Sequence, residues 1–170
     1  AGDLMVAFFG SYVLQEYPGA SVVCDVKSSS LALNFLKEHG AHVIISRSGH
    51  AIIKDQIMKH KALLAGELSC HFFFKDRYFG YDDGIYALMR LLEILINDEN
   101  ALDDFLAALP TLHSSREYRI AYNAEVRDVL IQHIEYFFKQ YDDAQMITID
   151  GVRVTFPFGW GIIRPSNTQS

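Results

Sequence analysis

The chain has 170 residues and a formal net charge of −6, from 15 Lys and Arg against 21 Asp and Glu. Half of its residues are hydrophobic, which supports a packed core and excludes wholesale disorder; the length suits one domain or two small ones, and the acidic balance excludes a non-specific nucleic-acid binder, whose footprint is basic. Residues 1–113 carry 9 basic and 14 acidic side chains and residues 114–170 carry 6 and 7, so an anionic ligand must be gripped by a few placed cations rather than by the overall field.

In chain order, residues 4–16 (LMVAFFGSYVLQE) read as a helix stopped by Pro18-Gly19. Ser21 to Asp25 is a short apolar run expected as a buried strand. Ser30 to His39 has Leu31, Phe35 and Leu36 at helical spacing, a serine cap before them and Gly40 after them. Ala41 to Ser46 reads as a second buried strand, Ala51 to Lys61 as a helix and Leu63 to Glu67 as a third strand. Strands alternating with helices of about ten residues point to a largely parallel sheet with crossover helices. After His71 to Phe74 and a loop through Asp82-Asp83-Gly84, Ile85 to Ile96 is helical, with Asp83 as its cap, and Ala101 to Leu109 is a shorter helix.

Pro110 to Ser115 is the expected linker, dividing the chain into 1–110 and 111–170. Beyond it the texture changes. Tyr118 to Tyr122 reads as a strand and Val126 to Tyr141 as a long helix. Met146 to Ile149 and Val152 to Phe156 read as a hairpin around Asp150-Gly151, and Trp160 to Arg164 as a further strand. The fold expected is therefore a three-layer α/β domain with a mixed, largely parallel sheet, followed by a smaller α+β domain. About 55 residues are few for an independent core, and the chain stops at a polar, motif-like stretch, so it reads as a piece of a longer protein.

Cys24 and Cys70 are the only cysteines and make no disulfide scaffold, so a reducing, cytoplasmic setting is expected. No signal peptide is visible, and the apolar runs are too short to span a bilayer.

In a parallel α/β sheet, ligands bind outside the carboxyl ends of the strands. The three expected strands run into Asp25-Val26-Lys27-Ser28-Ser29, Ser46-Arg47-Ser48-Gly49-His50 and Gly66-Glu67-Leu68-Ser69-Cys70-His71. That topology gathers Lys27, His50, Glu67, Ser69 and His71 at one rim. Polar loops are common, and a single such cluster would mean little; three in succession make a ligand site a serious reading. Lys27 suits a phosphate or a hydroxyl, with a solvated lysine as the plain alternative. Glu67 and Ser69 suit sugar hydroxyls, or Glu67 pairs with Lys27. His50 stands at a helix start and suits a phosphate oxygen, or simply caps. Five of the seven histidines lie between His39 and His71, but their spacing fits no standard zinc pattern, and no metal site is expected. Arg164 with Ser166, Asn167 and Thr168 offers a guanidinium fork among hydroxyl and amide donors, the make-up of a phosphate cradle; the alternative is a turn and a tail.

Together these segments resemble the α-D-phosphohexomutase family, in its phosphomannomutase/phosphoglucomutase branch. The segments are Asp25-Val26-Lys27, Ser48-Gly49-His50 to Ile53-Lys54, Ala65-Gly66-Glu67-Leu68-Ser69, His71-Phe72-Phe73-Phe74-Lys75 and Tyr81 to Tyr86. Asp150-Gly151-Val152-Arg153, Gly159-Trp160-Gly161 and Arg164 to Thr168 complete the set, in order across essentially the whole chain. The resemblance implies the third of four domains over 1–110 and part of the fourth over 111–170. It implies interconversion of hexose 6-phosphate and hexose 1-phosphate, mannose or glucose, through a 1,6-bisphosphate. The phosphoserine and the Mg²⁺ loop would lie in the missing N-terminal domains, which the chain would need as partners beside its hexose phosphate substrate. No catalytic or metal-binding residue is then expected in this chain, and it should be inactive alone. Glu67 and Ser69 would bind sugar hydroxyls, Lys27, His50 and His71 would line the cleft, and Arg164, Ser166, Asn167 and Thr168 would hold the non-reacting phosphate. Leu68 favours the hexose branch over phosphoglucosamine mutases, which usually carry glutamine there. The family usually has glycine where Cys70 stands and proline where Ser170 stands. A non-catalytic sugar-phosphate-binding module and an unrelated α/β interaction domain are the other readings.

Overall fold

Residues 2–166 are described by the structure, a computed structural model. The chain divides into two compact units, at Pro110 and Thr111.

The first unit is built on strands β1 (Ser21–Asp25), β2 (His42–Ser46), β3 (Leu64–Gly66) and β4 (Phe72–Phe74). Their order across the sheet is β2-β1-β3-β4. The first three run parallel, and β4 turns back antiparallel to β3. Helices α1 (Gly2–Glu16), α2 (Ser30–Glu38), α3 (His50–His60), α4 (Gly84–Asn97) and α5 (Ala101–Ala108) complete it. The period-two alternation of strands sends neighbouring side chains to opposite faces, and this alternation creates the three layers. Val22, Cys24, Leu64 and Phe74 face α1, α2, α4 and α5, packing with Val6, Phe9, Leu36, Ala87 and Ile94. Val23, Ala65 and Phe73 face the other way, against Ile53 and Ile57 of α3.

Helix α1 is apolar nearly all round because both its flanks are covered, by α2 and by the sheet. It begins two residues earlier than the apolar pattern predicts. Asp3 is buried and its Oδ2 accepts the Ser29 N–H at 2.9 Å, so tertiary contact extends the helix past the apolar stretch. Two expected caps form. Ser29 Oγ accepts the Ala32 N–H, and Asp83 Oδ1 accepts those of Ile85 and Tyr86. The Tyr86 amide first, then the Tyr78 hydroxyl, hold the Asp83 carboxyl below its ordinary range.

The second unit has a 3₁₀ turn (Ala124–Val126), helix α6 (Arg127–Phe138) and an antiparallel sheet of β5 (Gln145–Ile147), β6 (Val152–Phe156) and β7 (Gly159–Ile163), in that order. The expected hairpin around Asp150-Gly151 is present. Its core is small: Val152, Arg153 and Val154 are buried, Arg153 lies 4.0 Å over the Trp160 ring, and Phe138 and Tyr141 pack on Phe156. Gly151 has φ +78°, and a Cβ there would collide with Ile163 O and stand 2.7 Å from Arg164 Cα. Only glycine lets the turn lie against the start of the polar stretch.

One expected element does not form. Tyr118 to Tyr122 alternates like a strand, but residues 111–123 are irregular and exposed throughout. A strand exists only through its ladder partners, and the second sheet is completed by β5, β6 and β7 without it. Limited trypsin digestion is therefore expected to cut first after Arg116 and Arg119, leaving the first unit intact. Protection of these bonds until global unfolding would contradict this description of the segment.

Candidate functional site

Strand register sets the site. Asp25 of β1 pairs with Ser46 of β2, and Cys24 pairs with Gly66 of β3, so the three parallel strands end level. The loops that follow emerge on one edge of the sheet, as the order of strands and helices predicts.

Asp25 ties these loops together. It is fully buried, yet its carboxylate is saturated with partners. Oδ1 accepts the Ser28 hydroxyl at 3.0 Å and the Leu68 N–H at 3.2 Å. Oδ2 accepts the Ser48 hydroxyl at 3.1 Å and faces Lys27 Nζ at 3.1 Å. Lys27 and Ser28, Ser48, and Leu68 stand on three loops, and each contact fixes its loop against the other two. A buried carboxylate is stable only when so satisfied. The α1 N-terminus closes the network from beneath. A Cβ on Gly2 would stand 2.6 Å from Glu67 O and 2.7 Å from Leu68 O and Cys70 N. A side chain at this position would push the 67–70 loop out of place.

Glu67 is the second organising carboxylate. It is buried, and Oε1 accepts the Gly49 N–H at the start of α3 at 3.0 Å. Negative charge is favoured at a helix N-terminus, where amide groups lack intrahelical partners. Oε2 lies 3.6 Å from His71 Nδ1. Ser69 Oγ lies 2.8 Å from the same nitrogen. His50 Nε2 is 3.2 Å and His71 Nε2 3.9 Å from Asp82 Oδ2, and the two imidazole rings are 4.9 Å apart. Asp82 is itself fixed by the Phe72 N–H, accepted at Oδ1.

His50, Glu67, Ser69 and His71 thus form one contact network. Lys27 belongs to the same loops but is held by Asp25, not by Glu67. His50 does not cap α3; Glu67 takes the Gly49 amide instead. In the second unit, Arg164 Nη2 donates to the buried Asp150 Oδ2 at 3.0 Å. Among the described residues the buried Nε of the same guanidinium has no hydrogen-bond partner. Ser166 follows two residues later. Asn167 and Thr168 lie outside the described residues.

Asp25 and Asp82 are the site residues that sequence reasoning missed as such. Asp25 opened the first strand-end cluster and the Asp25-Val26-Lys27 segment, and its physical signal is that it closes an otherwise apolar strand, where a carboxylate is buried if the strand is. Asp82 stood only within the Tyr81 to Tyr86 segment of the resemblance, beside the capping Asp83.

The rim offers a buried carboxylate, a hydroxyl and two imidazoles in one contact network, with the Lys27 ammonium on a neighbouring loop. Such a set of acceptors and donors suits a polyhydroxylated ligand. Mg²⁺ demands a near-octahedral shell of oxygen ligands. Among the described residues, the one group of three or more metal-ligating side chains is His50, Glu67 and His71, which supplies a single carboxylate. These residues do not fit Mg²⁺.

Cys70 stands in this loop at φ +65°, left-handed and without glycine's freedom. Its thiol is exposed, whereas Cys24 is buried and its thiol is pushed up to about 12, chiefly by burial and then by Asp25 and Asp3. A thiol reagent is expected to modify Cys70 rapidly and Cys24 only on unfolding. Cys70→Gly should stabilise the chain by about 1 kcal/mol in urea unfolding. A destabilised Cys70→Gly variant would show that the side chain does more than occupy a strained position.

The chain is similar to known proteins over nearly its whole length. Residues 1–113 match the model of phosphoglucomutase/phosphomannomutase, alpha/beta/alpha domain III. A phosphomannomutase/phosphoglucomutase of Pseudomonas syringae is 41% identical over 166 residues, covering 98% of this chain and 36% of that protein. A phosphoglucomutase of Neisseria meningitidis is 43% identical over 171 residues, with the same two shares. The crystal structure of a phosphoglucomutase/phosphomannomutase family protein from Burkholderia thailandensis superposes with a TM-score of 0.86 at 36% identity, over 98% of this chain and 35% of the other. The chain therefore spans about a third of the length of the relatives it matches, and with them it belongs to the phosphoglucomutase/phosphomannomutase family.

Proposed function

We propose that this chain is the sugar-reading and phosphate-gripping part of a phosphohexomutase, which interconverts the 6-phosphate and 1-phosphate of mannose or glucose in the cytoplasm. The observation that carries the reading is Glu67. A buried carboxylate anchored through one oxygen to the α3 N-terminus presents the other beside Ser69 and His71. An acceptor held in this way binds a sugar hydroxyl without first being ordered, which lowers the cost of binding.

A 1,6-bisphosphate that turns over between two half-reactions must be held in both orientations. The first unit would read ring hydroxyls, through Glu67 and Ser69, with Lys27, His50 and His71 lining the site. The second would hold the non-reacting phosphate through Arg164 and Ser166, with Asn167 and Thr168, next in the sequence, as further donors. Neither unit transfers the phosphoryl group. A phosphorylated serine would do so, and Mg²⁺ would neutralise charge on that group. Both would lie outside this chain, which spans about a third of its relatives' length.

Titration of the purified chain with glucose 6-phosphate or mannose 6-phosphate, followed by NMR, should shift the amides of Gly49 and of residues 67–71. The expected Kd is about 1 mM, near 4 kcal/mol. Glu67→Gln should weaken binding by about 1–3 kcal/mol, and neither sugar should be converted. Turnover by the chain, or saturation without shifts at 67–71, would overturn the reading.

A further inference from the structure

We propose that His50, Glu67 and His71 form a binding site for a divalent transition-metal ion of the zinc type. Their sequence spacing conceals the group. The two histidines are separated by a helix and a strand, and parallel pairing brings them to one edge. One ligand atom of each residue falls within 4.8 Å of the others. Two imidazoles and a carboxylate are a donor set that zinc takes, leaving a fourth position open.

The surroundings already supply what a metal centre needs. Glu67 Oε1 is engaged by the Gly49 amide, so the carboxylate is oriented while Oε2 stays available. Asp82 Oδ2 lies 3.2 Å from His50 Nε2 and 3.9 Å from His71 Nε2. For His71 this carboxylate can accept the Nε2–H opposite a metal held at Nδ1, as is usual for ligating histidines. His71 would bind through Nδ1, which faces Glu67 Oε2 at 3.6 Å. Bonds of about 2.0–2.2 Å require the three atoms to close to roughly 3.4 Å apart. Both histidines are substantially exposed, which leaves room for that movement. The contact that must break is Ser69 Oγ to His71 Nδ1.

Binding of the metal is independent of the sugar reading. One consequence rests on that reading: zinc would take Glu67 Oε2 and detach Ser69, so zinc and sugar phosphate would exclude one another.

The test is equilibrium dialysis of the purified chain against zinc chloride, with cobalt(II) as a spectroscopic probe. One zinc per chain is expected, with a micromolar Kd and the visible bands of four-coordinate cobalt. His50→Ala and His71→Ala should each weaken binding at least about tenfold and Asp82→Asn by about tenfold. Cys70→Gly and His133→Ala should leave it unchanged, and excess Mg²⁺ should not compete. The absence of zinc binding, or its persistence in both His50→Ala and His71→Ala with native circular dichroism, would overturn the site. So would its loss in Cys70→Gly. Glucose 6-phosphate should raise the apparent zinc Kd. If it does not, while the variants behave as expected, the metal site stands and the sugar reading fails.

Discussion

The buried carboxylate of Asp25 is the constraint on which the candidate site depends. An unpaired carboxylate in this position would cost several kcal/mol. It is held in place by two serine hydroxyls, one backbone amide and a lysine, drawn from three loops. The requirement works in both directions. Asp25 tolerates burial because the loops converge on it, and the loops converge because a buried carboxylate must be satisfied. Leu68, gripped through its amide, lies between Glu67 and Ser69. The geometry of the rim therefore follows from one ion beneath it, and the polar groups above are ordered before any ligand arrives.

A similar device recurs on a smaller scale in the second unit. Asp150 is buried at the β5–β6 turn and takes one donor of Arg164. Gly151 permits the close approach of the two segments. A guanidinium oriented in this way loses less side-chain freedom on meeting an anion than a solvated arginine. Here, too, a carboxylate positions the group that would touch ligand.

Much of the first unit was legible. Ser21–Asp25 and His42–Ser46 are apolar runs too short for helices, and their alternation with helices dictated parallel pairing and a common loop edge. Tyr118 to Tyr122 shows the limit of that logic, since its alternation is that of a strand but no neighbouring strand pairs with it. The turn-back of β4 rests on three phenylalanines, too few to show direction. The rim residues could be gathered from topology, but their partners could not. That Lys27 meets Asp25 rather than Glu67, and that Asp82 reaches His50 across 32 residues of chain, are set by side-chain packing. No periodicity encodes such contacts.

The central claim is that Asp25 fixes the 67–71 loop. Native-state hydrogen exchange in Asp25→Ala tests it most directly, with the Leu68 amide as reporter and the amides of β1 and β2 as internal standards. Loss of the Leu68 hydrogen bond should speed its exchange at least about tenfold more than that of the strand amides, with the Gly49 amide following because Glu67 is no longer held. Equal acceleration at all of these amides, or an unchanged Leu68, would show that the loop is held by something other than Asp25.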